Sequence, residues 1–265
     1  MSANGFETVA LGKGEVRVYD FGGAKLHAYQ TNDPIDDEVI VVEKDGKGFV
    51  IEYPCFFDNI EELEDYVRGL GIEVEGVVAA YHMAGASFLP DVPALMTREA
   101  EAYGRAGGGK DLIDGFSATF GDAFDASAPQ VVRHIEGDVL SLAGVEMRVV
   151  RNDEAFDLLV PELNAAYLHM LGHDCHSIVA GPAHADAQIA QLEGLLDDGT
   201  ELFLTSHYVP EGRDDARAKI AYLRDVKRLA AASSSADAFK KAVAERYPAY
   251  TGGNYLDMTA GFFFA

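Results

Sequence analysis

Apolar residues in the N-terminal half occur mainly in the runs typical of strands. The stretch "EVRVYDFGG" alternates apolar and polar positions, and "EVIVVEKDGKGFVIEYP" predicts two strands joined by a hairpin turn at "KDGKG". The segment "NIEELEDYVRGLG" predicts a helix with Asn59 as its N-cap and a glycine after its last turn. An apolar run, "VEGVV", then predicts a buried strand, and a second helix is expected around Met96 to Tyr103.

The C-terminal half repeats this order with longer helices. Strands are predicted in "VVRHIEGDVLSLAGVEMRVV", "AFDLLV" and "AAYLHML", then a helix in "HADAQIAQLEGLLDDG" and a strand in "ELFLTSH". Two further helices follow, "RDDARAKIAYLRDVKRLAAA" and "ADAFKKAVAERYP". The glycine-interrupted residues 105–129 predict short helical pieces, which we expect to form an insertion over the ends of the sheet. Each half therefore contains strands, a helix, a strand and a histidine-bearing loop.

Composition narrows the possible partners. The 265 residues carry a formal net charge of -23, which disfavours binding to nucleic acid or to an anionic membrane. No apolar run approaches the roughly 20 residues of a membrane helix, and no secretory signal pattern is present. Two cysteines are too few for a disulfide framework. We therefore expect a cytoplasmic protein that acts on a small molecule, and the apolar end "GFFFA" suggests a homodimer contact.

The loop "AAYHMAGASFLPD" follows the strand "VEGVV" and contains one histidine among small residues. Together with the preceding "FVIEYP" and "ELEDYVRGLGIEVEGVVAAYH", and with the repeated order of elements, it resembles the metallo-β-lactamase superfamily. The resemblance covers nearly the whole chain. It implies an α/β fold, a four-layer αββα sandwich formed by residues 1–265 as a single domain, with one or two metal ions at the edges of the sheets.

The family motif is only partly present. Glu52 corresponds to the aspartate that ends the family hairpin. The loop motif His-x-His-x-Asp-His places its first histidine at His82, but its other three ligands fall on Ala84, Ala86 and Ser87. Because alanine and serine side chains do not supply the usual zinc ligands, the resemblance implies that the two-metal site of the family cannot form.

Four ligand-type residues remain at family positions: His82, Asp153, His173 and His207. Glu154 and Asp174 are alternates, because the alignment can shift by one residue at two of these positions. His169 and His176 also lie nearby, but they are interpreted as core or hydrogen-bonded histidines.

The four residues imply a site for at most one Zn, Fe or Mn ion. By resemblance, the protein is a hydrolase of an ester, thioester or amide, in which His207 or His173 orients the attacking water. The alternative is a metal-free relative that binds a small molecule or a protein in the old cleft, the floor of which is small and uncharged.

Overall fold

The computed structural model describes residues 5–152, 154–169 and 172–264. The described residues form two β-sheets. The first sheet has eight strands in sequence order, of which β1 to β5 pair antiparallel and β5 to β8 pair parallel. Its strands are β1 (Glu7–Ala10), β2 (Glu15–Asp20), β3 (Lys25–Gln30), β4 (Glu38–Lys44), β5 (Lys47–Ile51), β6 (Glu73–Val78), β7 (Ala94–Met96) and β8 (Val132–His134).

The second sheet has five strands in the order β13-β12-β11-β10-β9, with β12 and β13 parallel and the other pairs antiparallel. These strands are β9 (Val139–Leu142), β10 (Val145–Arg151), β11 (Phe156–Val160), β12 (Ala165–Leu168) and β13 (Leu202–Thr205). The helices are α1 (Phe57–Leu70), α2 (Arg98–Ala106), α3 (Gly108–Phe120), α4 (Pro182–Asp197), α5 (Arg213–Ala232), α6 (Ala236–Arg246) and α7 (Gly253–Phe263).

Alternation along the strands explains the four layers. Tyr167 and Leu204 face the eight-stranded sheet and belong to the core between the sheets, whereas Leu168 and Phe203 belong to the core beneath the C-terminal helices α4 to α7. Helix α1 packs its apolar residues against the first sheet. The expected αββα sandwich is therefore confirmed. In the part of the chain that the structure describes, none of the helices has the length and apolar character needed to span a bilayer.

Most of the predicted elements are present, and the differences have local causes. Asp45 and Gly46 both have positive φ in the hairpin turn between β4 and β5, as the sequence "DG" predicts. Asn59 is not the N-cap of α1, because its buried amide donates to the Tyr29 hydroxyl and the Thr31 carbonyl. Met96 ends strand β7, and the next helix starts only after Thr97, whose hydroxyl caps it.

Residues 105–129 are more regular than predicted. Helix α3 runs for 13 residues despite its glycines. Phe116, Phe120 and Phe124 from this segment pack in one apolar cluster with Phe56. The segment therefore lies against the chain that follows β5.

Candidate metal centre

The candidate site lies where strand ends from the two sheets meet. His82 follows β6, His169 directly follows β12, and His207 follows β13. Because β12 and β13 are parallel neighbours, their carboxyl ends lie side by side. The start of β4 joins the two sheets at this edge, through a hydrogen bond of 2.8 Å from the Glu38 amide to the Ser206 carbonyl. The fold therefore brings residues from both halves of the sequence to one place.

Three imidazoles converge at this edge. His82, His169 and His207 each offer a ring nitrogen, and these atoms all lie within 4.8 Å of one another. The Nε2 atoms of His82 and His207 are 3.2 Å apart. The side chains of His82 and His207 are mostly buried, whereas His169 is exposed at the rim. The group is therefore accessible from the His169 side.

The electrostatic surroundings keep two of the three rings neutral. Burial, and then the neighbouring His207 and His169, hold the pKa of His82 well below its usual value. Although His169 is exposed on one side, burial of its other atoms and the nearby His207 lower its pKa as well. Burial alone would lower the pKa of His207, but the Asp37 carboxylate and the Ile35 carbonyl raise it. Neutral imidazoles are the form that binds metal ions.

Glu52 anchors the loop that carries His82. Its fully buried carboxylate accepts hydrogen bonds from the amides of Ala80, Tyr81 and His82 at 3.1, 2.8 and 2.9 Å, and from the Tyr167 hydroxyl at 2.9 Å. Burial raises the pKa of Glu52 to about 7, although these hydrogen bonds lower it. The residue has a φ of 68°, an uncommon conformation for a non-glycine residue. The four hydrogen bonds to Glu52 fix the backbone of the loop up to His82.

Tyr81 supports His169 from behind. The two rings are stacked with centroids 4.2 Å apart and an interplanar angle of 15°. The Tyr81 hydroxyl donates to Asp157 on β11 at 2.6 Å, and the Gln191 amide of α4 donates to the other oxygen of Asp157 at 2.7 Å. A chain of contacts from α4 through β11 therefore sets the plane of Tyr81, and through it the orientation of His169.

His173 and the two alternate ligands, Glu154 and Asp174, lie outside the histidine group. Asp153 falls outside the described residues. Its alternate Glu154 is exposed in a turn, and Asp174 accepts a hydrogen bond from Tyr208. The structure does not bring His173 into the histidine group, because Glu211 holds its Nδ1 at 2.6 Å and its backbone amide at 2.7 Å.

The second half of the family site is filled by protein. Ala84 is only 2% exposed, and it packs with Cys55, Phe56 and Phe124. One residue further along, the Gly85 amide donates to the carbonyl of Asp125, which comes from the segment 105–129.

Asp125 fastens the end of the loop. Its carboxylate accepts from the amide and hydroxyl of Ser87 at 2.9 and 2.7 Å, and its carbonyl accepts from the Gly85 amide at 2.8 Å. These contacts occupy positions where the family motif would place metal ligands, so the second metal position of the motif is closed.

The sequence analysis did not identify His169 as a candidate ligand. Its position directly after a strand could have identified it. It is the first residue after the strand "AAYL", at the carboxyl end of a strand that runs parallel to the strand before His207. Asp125 lies outside the motif and gave no signal of its own.

The fold can be compared with known structures. No protein-family model and no curated protein sequence matches the chain. The inverting sec-alkylsulfatase Pisa1 from a Pseudomonas species is similar over 90% of this chain and 49% of its own length, with a TM-score of 0.61 and 15% identity. The chain thus spans about half the length of that enzyme.

Shorter proteins match over their full length. A metallo-β-lactamase from Erythrobacter litoralis is similar over 83% of this chain and 100% of its own, with a TM-score of 0.56 and 13% identity. The metallo-β-lactamase DIM-1 is similar over 83% of this chain and 99% of its own, with a TM-score of 0.52 and 14% identity. The chain therefore has the metallo-β-lactamase fold.

Proposed function

We propose that the protein is a hydrolase with a single metal ion held by His82, His169 and His207, and that it cleaves an ester, thioester or amide. The observation that carries this proposal is the convergence of three ring nitrogens within 4.8 Å at the joined edges of the two sheets. Three histidines with an open fourth position are an arrangement that catalytic zinc sites use. Of the ligands implied by resemblance, we retain His82 and His207 and propose His169 in place of His173.

The residues fit such an ion. Two nitrogens bound to tetrahedral zinc at about 2.0–2.1 Å lie roughly 3.3 Å apart, and the Nε2 atoms of His82 and His207 are 3.2 Å apart. The lowered pKa values of His82 and His169 favour neutral rings with a lone pair available for coordination. Zinc, iron and manganese all accept imidazole ligands.

The histidine group leaves one side open for a substrate. A divalent ion bound there would polarise the bond to be cleaved and make a water molecule more acidic. The chain's own contribution is to hold the three rings rigidly: Glu52 fixes the backbone at His82, and Tyr81 fixes the plane of His169. Since His169 is the exposed member, a substrate would approach over its outer edge. The expected role of His173 in orienting water stays a prediction.

The local charge favours an uncharged substrate. Among the described residues, the charged groups that shift the pKa values of the three rings are the rings themselves and the carboxylates of Asp37 and Glu52. Lysine and arginine are not among these groups. With a divalent ion bound, the two carboxylates offset its charge, so the site has no net positive charge to attract an anionic substrate such as an alkyl sulfate. The carbonyl of an ester, thioester or amide carries no such charge.

The packing of the old cleft argues against a metal-free binding protein. Phe124 from the segment 105–129 packs with Ala84, so the cleft floor is filled at this position, and a cavity of about 180 Å³ remains beside Ala86 and Ser87. We therefore propose that residues 1–265 form a single domain in which the insertion at 105–129 replaces the second half of the site.

The remaining proposals concern partners and location. We propose a homodimer in which the exposed Phe262 of α7 takes part, because this ring is 53% exposed beside the packed Phe263 and Phe264. A cytoplasmic location is in keeping with two buried, free thiols, Cys55 and Cys175. The acidic surface again disfavours nucleic acid and anionic membranes as partners.

Metal analysis and hydrolysis assays on the same preparation test the proposed function. Protein purified without a histidine tag should contain about one transition-metal ion per chain after reconstitution with Zn, Fe or Mn. It should then hydrolyse members of a panel of aryl esters, thioesters and anilides faster than an alkyl sulfate. His82→Ala should lose both metal and activity, whereas His134→Ala, which removes a half-buried histidine bonded to Glu101, should keep both. Substoichiometric metal in the reconstituted protein would exclude the proposed function.

A further inference from the structure

A single carboxylate lies behind two of the three histidines. Asp37 is 0% exposed, and its Oδ1 lies 3.3 Å from Nδ1 of His207 and 3.9 Å from Nδ1 of His82. The Nε2 atoms of the same two rings approach each other at 3.2 Å. Each of these rings therefore turns one nitrogen toward Asp37 and the other toward the centre of the histidine group.

The carboxylate of Asp37 has few hydrogen-bond partners in this position. Among the described residues, neither of its carboxylate oxygens has a hydrogen bond of good geometry. Its charged neighbour Asp33 is also buried, and the Oδ2 atom of Asp33 has no partner either. A buried carboxylate without hydrogen bonds lowers the stability of a folded protein. The imidazole of His207, at 3.3 Å, is the nearest ion-pair partner of Asp37 among the described residues.

The turn before β4 holds Asp37 firmly. The Thr31 amide and hydroxyl donate to the Asp37 carbonyl at 3.1 and 2.8 Å. On the other side of the turn, Asp33 Oδ1 accepts from the Ile35 amide at 2.9 Å. Because the backbone is fixed from both directions, the carboxylate is held facing the two imidazoles.

The hydrogen-bond acceptors around His207 indicate its tautomer. Its Nδ1 lies 3.2 Å from the Ile35 carbonyl, which can only accept, and it also faces Asp37. Hydrogen on Nδ1 leaves a lone pair on Nε2. If His82 has the same tautomer, two lone pairs face each other at 3.2 Å, which is unfavourable unless a cation lies between them.

We propose that Asp37 is a positioning residue that keeps hydrogen on Nδ1 of His207, so that the Nε2 atom of His207 is directed, together with that of His82, at one divalent cation. Bound metal makes this Nδ1–H group a stronger donor, and the positive charge offsets the buried carboxylate. The inference rests on the proposed metal site, and it adds that this site includes a carboxylate outside the family motif.

The test compares Asp37→Asn with Asp36→Asn, which removes the same charge from the exposed neighbouring position. Zinc affinity is measured by competition with a chelator, and the unfolding temperature is measured in the metal-free protein. For Asp37→Asn we expect zinc binding to weaken by about 10–100-fold, as for other carboxylate partners of ligating histidines. The unfolding temperature shows whether the metal-free variant is folded.

A tautomer measurement supplies a readout that a purely structural aspartate would not change. In zinc-loaded wild-type protein, ¹⁵N spectra of the histidine rings should show hydrogen on Nδ1 of His207, and Asp37→Asn should weaken this Nδ1–H signal. Asp36→Asn should leave affinity, unfolding temperature and spectra unchanged.

Failure of the proposed function and failure of the inference about Asp37 give different results. If wild-type protein binds no zinc, the proposed function fails and this inference fails with it. If wild-type protein binds zinc and Asp37→Asn binds it equally well, the metal site stands and the role of Asp37 is excluded. If zinc-loaded Asp37→Asn keeps the Nδ1–H signal of His207 unchanged, the role of Asp37 is also excluded.

Discussion

His82 and His207 are 125 positions apart in the sequence, and their Nε2 atoms lie 3.2 Å apart in the structure. One follows a strand of the eight-stranded sheet and the other a strand of the five-stranded sheet. The contact therefore depends on the packing of the two halves against each other. With His169 as the third member, it forms a group that fits one metal ion.

The three histidines should contribute to metal binding as one unit. We expect His82→Ala, His169→Ala and His207→Ala each to weaken zinc binding by at least about 100-fold, because each removes a ligand and leaves the others too few to hold the ion. The measurement is zinc affinity by competition with a chelator.

His173→Gln provides the matched control for these variants. Its ring is bonded to Glu211, so zinc affinity should be unchanged. A loss of zinc in this variant equal to that of His169→Ala would show that His173, as the family alignment implies, is the ligand.

Restoring the lost family histidine at position 84 should not create a second metal site. Ala84 is packed against Phe56 and Phe124, so Ala84→His overfills this cluster and should lower the free energy of unfolding by about 1–3 kcal/mol. Urea unfolding and metal stoichiometry check both parts of the prediction. The control is Asp91→His, at an exposed position of the same loop that lies outside the motif. Binding of a second equivalent of zinc by Ala84→His would show that the cleft is open.

We expect the hydrogen bonds of Asp125 to hold the second half of the loop 79–91 in place. Asp125→Ala removes the acceptors for Ser87 and Ser127 and should lower the free energy of unfolding by about 1–3 kcal/mol. Asp122→Ala, at an exposed position three residues earlier, should change it by less than about 0.5 kcal/mol. Equal effects of the two substitutions in urea unfolding would show that Asp125 does not fasten the loop.

A buried acid on β4 should give the stability a pH dependence. Glu38 is 1% exposed and its two carboxylate oxygens have no hydrogen bond among the described residues, so burial raises its pKa well above the usual value. Below about pH 4, near the pKa of glutamate in an unfolded chain, Glu38 is neutral in both the folded and the unfolded state. It then does not lower the free energy of unfolding. As the pH rises through the higher folded pKa, the unfolded state releases the proton more readily and the folded protein loses stability.

Substitution of Glu38 tests this sign. Glu38→Gln should raise the free energy of unfolding by about 1–3 kcal/mol at pH 8 and change it little at pH 4. Glu7→Gln, at an exposed position of β1, should not show this pH-dependent gain. A gain for Glu38→Gln that is the same at both pH values would mean that ionisation of Glu38 is not its cause.

The sequence predicted the parts of the site that depend on strand ends. His82 and His207 each follow a strand within a short recognisable segment, so their placement needed only the topology. His169 was missed because the family pattern of glycine before aspartate directed attention to Gly172 and His173, four and five residues beyond the end of β12. The position where a strand ends is set by its pairing partners, and β12 ends at Leu168 beside Thr205.

Other differences come from contacts between distant segments. Asparagine is a residue type favoured at N-caps, but the side-chain amide of Asn59 donates hydrogen bonds to the Tyr29 hydroxyl and the Thr31 carbonyl beside the helix. Asp37 belongs to a polar turn that would ordinarily be read as solvent-exposed. Only the approach of β4 to the second sheet, through Glu38 and Ser206, buries it behind the histidines. Sequence periodicity carries no information on such an approach.

Crystals of untagged protein reconstituted with zinc test the central claim most directly, through anomalous scattering measured on both sides of the zinc absorption edge. We predict one zinc peak per chain, coordinated by ring nitrogens of His82, His169 and His207 at about 2.0–2.1 Å. A fully occupied zinc peak at another position, or no peak among these three rings, would contradict the account.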